Sequence, residues 1–150
     1  TYGTIVIRAK VPVGVGTWPA VWMLGANIGT VGWPVCGEID ILESVGKNLD
    51  QNHSSLHSPG RSGATPDTGI IKVPNSSTEF HIYKANWSAS EIKFYVDDVL
   101  FYTFQNSDKF PFNKNFYLIV NLAMGGVWGG DVDPNFTSST FEIDYIRVYN

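Results

Sequence analysis

Glu38, Asp40 and Glu43 bring three carboxylates into the segment Gly37-Glu38-Ile39-Asp40-Ile41-Leu42-Glu43, whose other residues have the composition of a buried β-strand. Acidic side chains are seldom buried unless something pairs or uses them. In a strand, residues two apart share a face, which puts Glu38 and Asp40 together. Glu43, five positions after Glu38, falls on the opposite face of a regular strand. One extra residue between Asp40 and Glu43, a β-bulge, returns all three to one face, and bulges recur beside active sites for that reason. Glu38 and Glu43 are then four strand steps apart, roughly 13 Å between Cα atoms at about 3.3 Å per step. Two inward-leaning glutamates shorten that span to several ångströms. Carboxyls about 5–5.5 Å apart suit hydrolysis of a glycosidic bond with retention, one as nucleophile and one as acid. The competing reading is a solvated acidic edge strand.

A chain of 150 residues fits one domain, 1–150, and can bury a core. Its net charge of -4, without a Lys/Arg cluster, argues against nucleic acid or an anionic membrane surface as partner. No apolar run is long enough to span a bilayer. Aromatic residues make up 14% of the chain, and flat rings line carbohydrate clefts as readily as they fill cores. Cys36 is the single cysteine, so no internal disulfide forms. Beside Gly37 it reads as a small buried residue flanking the acidic strand. The sequence begins at Thr1 and enters a strand at once, which reads as a fragment or trimmed product. Asn-X-Ser/Thr patterns at Asn52, Asn75, Asn86 and Asn135 lean towards a secreted protein.

The elements that must position the carboxylates are strands. Over 4–11, Ile5, Ile7, Ala9 and Val11 face one way and Arg8 and Lys10 the other. Residues 18–24 are apolar on both faces, as in a central strand covered on two sides, with Trp22 in the core. A glycine-rich loop over 25–34 leads into the acidic strand. A short strand is expected over 52–57, followed by a long polar loop, 58–77, with an edge strand near 70–73. Such long loops tend to be functional. Alternation resumes from Glu79: Phe80 and Ile82 oppose His81 and Tyr83, then Ile92, Phe94 and Val96 oppose Lys93 and Tyr95. Asp97-Asp98 reads as a tight hairpin turn. Residues 117–123 and 141–149 complete eight or nine strands without helices, an antiparallel sandwich or barrel.

These residues resemble glycoside hydrolase family 16. Glu38-Ile39-Asp40-Ile41-Leu42-Glu43 is similar to its signature strand, in the bulged form of the laminarinase-like branch. The resemblance extends through Tyr2-Gly3, Trp18-Pro19-Ala20-Val21-Trp22, Trp33-Pro34, Leu56-His57, Tyr95-Val96-Asp97, Asn121-Leu122-Ala123-Met124-Gly125-Gly126 and Asp144-Tyr145-Ile146-Arg147. Two departures stand out: family members carry further strands before the Tyr2-Gly3 position, and many have Gly where this chain has Asp98.

The resemblance implies an all-β jelly-roll sandwich of two antiparallel sheets with a concave cleft for a β-glucan polysaccharide. Glu38 would be the nucleophile and Glu43 the general acid and base, with Asp40 tuning the two. Their pKa values must then differ, Glu43 protonated and Glu38 ionised. His57 would contact substrate or nucleophile, Trp33 would stack on a sugar, and Asn121 would face the cleft. For Trp18 and Trp128, stacking and core packing are both open. Asp144 matches a position that helps hold a structural calcium in many members; no cofactor is expected for catalysis. The implied protein is a secreted, monomeric endo-β-1,3-glucanase. The same fold also serves mixed-linkage glucan or algal galactan hydrolysis, non-catalytic β-glucan binding, or a lectin-like role.

Overall fold

Strict alternation in β1 (Gly3–Lys10) sends Ile5, Ile7 and Ala9 into the core and leaves Arg8 and Lys10 outside. The same period recurs in β6 (His81–Trp87), which buries Tyr83, Ala85 and Trp87, and in β7 (Glu91–Val96), which buries Ile92, Phe94 and Val96. The computed structural model describes residues 1–150. Its remaining strands are β2 (Thr17–Gly25), β3 (Glu38–Glu43), β4 (Gln51–His57), β5 (Asp67–Lys72), β8 (Val99–Gln105), β9 (Phe116–Met124) and β10 (Glu142–Tyr149).

Two five-stranded sheets result, one ordered β10-β1-β6-β7-β8 and the other β5-β4-β3-β2-β9, with every neighbouring pair antiparallel. Between them lies an apolar core that includes Ile7, Val21, Ile39, Ile41, Leu42, Leu56, Phe94 and Phe112. Full burial of each such side chain contributes about 1.5–3 kcal/mol. This is the expected all-β sandwich, with ten strands rather than eight or nine.

Several local expectations hold. Asp97 and Asp98 both take positive φ (47° and 65°), the conformation of a two-residue type I′ hairpin, and Val96 pairs with Val99 across it. Others are corrected. The 25–34 loop contains a helical turn, α1 (Ile28–Val31), and a second, α2 (Gly126–Gly129), follows β9. The edge strand placed near 70–73 is β5, which begins at Asp67. Neither helix is long and apolar enough to cross a membrane.

Candidate active site

The acidic segment is an interior strand, so the reading as a solvated edge is set aside: β3 lies between β2 and β4. Its pairing carries the expected bulge. Asp40 pairs with Ser55 and Glu43 with His53, so two residues of β3, Ile41 and Leu42, oppose one of β4. Both bulge residues turn into the core. Glu38, Asp40 and Glu43 consequently share the opposite face, where Glu38 and Glu43 line one cavity of about 650 Å³. A second, of about 220 Å³, continues over β2 and β9 and shares Trp18, Glu38 and Glu43 with the first. The two form one cleft across the sheet, with the carboxylates in its middle.

Each of the two glutamates has its own indole. Trp18 Nε1 donates to Glu43 Oε1 at 2.9 Å, and Trp33 Nε1 donates to Glu38 Oε2 at 2.7 Å. His57, opposite Glu38 on β4, places Nε2 at 3.2 Å from Asp40 Oδ2 and 3.6 Å from Glu38 Oε1. The Gly63 N–H donates to its Nδ1 at 3.2 Å. A ring nitrogen that accepts carries no proton, so Nε2 holds it and presents N–H to both carboxylates. The approach to Asp40 is off-line for a hydrogen bond, and Oδ2 has no other partner.

Residues 1–147 match the profile of the Glycosyl hydrolases family 16. The chain belongs to that family. It is 43% identical over 164 residues to a beta-glucanase of Rhodothermus marinus, an alignment covering 99% of this chain and 57% of that protein. Its fold superposes on the laminarinase of Flavobacterium sp. UMI-01 with a TM-score of 0.96 at 47% identity, covering 100% of this chain and 67% of that one. With the catalytic domain of an endo-1,3-beta-glucanase (laminarinase) of Thermotoga petrophila RKU-1 the TM-score is 0.95 at 42% identity, covering 100% and 64%. The chain thus spans about three-fifths of the length of these relatives.

Within this family 16 site, burial is the first influence on every carboxyl. It raises Glu43 to about 8, assisted by the charge of Asp40 and opposed by the Trp18 hydrogen bond. Burial also raises Glu38, but His57, Trp33 and a hydrogen bond from Asp40 all pull it back down. Asp40 is pushed well above the usual carboxylate range by burial, then by the adjacent Glu38. The environments drive the two glutamates apart, as an acid and a nucleophile require.

Among the other residues singled out, Trp18 and Trp128 both line the cleft, packed edge to face with ring centroids 5.5 Å apart. Trp33 is 45% exposed beside Glu38. Asn121 lies in the cleft opposite Ala20, its Oδ1 accepting from Trp22 Nε1 at 2.7 Å. That contact corrects the placement of Trp22: it pairs with Asp40 and faces the cleft, not the core. Strand β2 is apolar on both sides because one side packs the core and the other lines the cleft.

Asp144 stands apart from the cleft. Its carboxylate is held by Arg8 Nη1 at 2.6 Å on the outer side of the β1–β10 pair. Calcium takes six to eight oxygens, of which Asp144 would offer its one carboxylate, held here by Arg8. The only cluster with metal-ligand spacing is Glu38, Asp40 and His57, where Nε2 carries a proton and is not free to ligate.

Sequence reasoning missed His53 and Ser55, which line the cleft from β4, and Gly63, Ala64 and Pro66, which wall it from the β4–β5 loop. The signal for the first two was available: His53, Ser55 and His57 share a period-2 face. The loop's length marks it as functional, but not which of its residues meet the cleft.

Proposed function

We propose that the protein is an endo-acting retaining glycoside hydrolase cleaving internal β-1,3-glucosidic bonds of laminarin-type β-glucans. The observation that carries this reading is the pair Glu38 and Glu43, brought to one face by the bulge, at mid-cleft, in environments that separate their proton affinities.

A Glu38 oxygen attacks the anomeric carbon as Glu43 gives its proton to the departing glycosidic oxygen, so the leaving sugar departs as a neutral alcohol. Trp18 occupies Oε1 of Glu43, which leaves Oε2 to carry the acidic proton. Glu43, now ionised, takes a proton from water, and the resulting hydroxide equivalent displaces Glu38 from the same carbon. Two inversions give retention, and both carboxyls return to their starting states. Asp40 and His57 stabilise the Glu38 carboxylate as it leaves. Every group the two steps use is a side chain of this chain, so one copy suffices and no cofactor is called on.

Sugar units on both sides of the cut are accommodated by a cleft that continues from the β4–β5 loop to β9, which favours internal cleavage. Its walls carry Trp18, Trp22, Val127 and Trp128, and neither Lys nor Arg lines either part. That favours a neutral polysaccharide over a sulfated galactan. Such a polymer is met outside the cell, in keeping with secretion. Digestion of laminarin, lichenan, agarose and carrageenan with product analysis tests the reading: laminari-oligosaccharides from laminarin are expected. Binding of laminarin without any product would replace this reading with a non-catalytic β-glucan-binding role.

A further inference from the structure

The bulge that aims Glu43 leaves backbone groups without ladder partners, because β4 has one residue fewer than β3 across it. Two buried polar side chains of β4 fill the gap. Asn52 Oδ1 accepts the backbone N–H of Glu43 at 3.2 Å. Asn52 Nδ2 donates to the Ile41 carbonyl at 3.4 Å and to Ser54 Oγ at 3.3 Å. Ser54 Oγ in turn donates to the same carbonyl at 2.7 Å. The Asn52 carboxamide thus stands in for the peptide group that β4 lacks, offering one acceptor and one donor to a strand that is a residue too long.

Both side chains point away from the cleft, alongside Leu56 on the core side, and are only 2% and 0% exposed. Polar groups at such depth cost stability unless hydrogen-bonded, and an apolar core is the simpler solution at these positions. The bulge explains why they are polar.

We propose that Asn52 and Ser54 are positioning residues for Glu43: their side chains hold the bulge in the register that turns the acid/base carboxyl into the cleft. This rests on the functional reading above. It also gives Asn52-His53-Ser54 a role other than the glycan acceptor its pattern resembles. In the folded chain the Asn52 amide is spent on the bulge, and a sugar attached there would displace it.

The test is the pH profile of kcat/KM on laminarin for the intact protein, its Ser54→Ala and Asn52→Ala variants, and Glu43→Gln. Ser54→Ala removes one donor to the Ile41 carbonyl, and Asn52→Ala removes both the acceptor for the Glu43 N–H and the second donor to Ile41 without adding a charge. We expect kcat to fall by about 10–100-fold with KM within about threefold, in line with misplacing a catalytic group by about an ångström. The alkaline limb should move to lower pH, because a carboxyl released from its buried seat ionises more readily. A purely structural role would lower the folded fraction and leave that limb in place. Lower kcat with an unmoved limb, or unchanged kcat, overturns the positioning role. No turnover by the wild-type protein overturns the functional reading instead, and wild-type turnover undiminished in Glu43→Gln does the same.

Discussion

Trp18 and Glu43 are partners across the β2–β3 pair: the indole N–H lies 2.9 Å from Oε1 of a carboxyl otherwise shielded from water. A hydrogen bond to the charged form favours that form, so Trp18 opposes the rise that burial imposes. Trp18→Phe keeps the ring and removes the donor. The alkaline limb of kcat/KM should then move to higher pH, and activity at neutral pH should fall several-fold. A limb unchanged in a well-folded variant would show that the bond does not tune the acid.

The two carboxyls themselves divide by chemistry. Glu43→Gln should lower kcat by about 10²–10⁴-fold, and Glu38→Gln by at least as much, while laminarin binding persists. Azide separates the roles. It should restore turnover to Glu43→Ala by attacking the glycosyl-enzyme, giving a β-configured glycosyl azide. With Glu38→Ala it attacks the substrate directly and gives the α anomer. NMR of the products reads the configuration, and the reverse pattern would exchange the assignments.

The same raised carboxyl has a stability consequence whose sign is fixed. In the folded chain Glu43 stays protonated to about 8, whereas the unfolded chain ionises near 4.5. Between those values the unfolded state binds fewer protons, so the contribution of Glu43 to stability falls as pH rises. Gln cannot titrate. Relative to wild type, Glu43→Gln should gain on the order of a few kcal/mol in urea unfolding between pH 5 and 8. An equal difference at both pH values would contradict the buried, protonated acid.

Removing the imidazole opposite Glu38 acts on the other limb. His57 favours the ionised nucleophile, so His57→Leu should shift the acid limb of kcat/KM to higher pH while the alkaline limb moves less. A common shift of both limbs would point to a change in the whole cleft.

Gly37 tests how tightly the start of β3 is specified. It has φ 82°, and a Cβ there would lie 2.9 Å from Pro111 Cγ. Gly37→Ala should cost about 1–2 kcal/mol in a thermal or urea melt. Since Glu38 is the next residue, kcat should fall beyond the loss of folded protein. An unchanged melt would mean that the loop carrying Pro111 yields freely.

The bulge is legible in the sequence because three carboxylates with one job must share a face, and the spacing forbids it otherwise. Strands were legible from their period of two. Trp22 was not, because an apolar residue on a strand looks alike whether its face meets the other sheet or a sugar. His53 and Ser55 followed from the same alternation that exposed His57, but a serine and a second histidine carry little chemical signal alone. Trp128 depends on α2, a four-residue turn between glycines with positive φ at Gly125, Gly126 and Gly130, packed beneath Trp18 at Gly129. Such a turn is set by tertiary contact, not by local pattern. Asn52 and Ser54 carry a glycan-acceptor pattern, and only the pairing register reveals the carbonyl they serve.

Strand β2 reaches β3 through a short connection but meets β9 across most of the chain, Ala20 lying opposite Asn121. Closing so long a loop costs entropy before any contact rewards it, which makes this pairing one of the slow events of folding. Trp18 and Trp22 gain their neighbours Trp128 and Asn121 only once it is made. The aromatic half of the cleft is therefore a late product of folding, and a chain that has formed only its local hairpins holds its carboxylates without a surface on which to lay a polysaccharide.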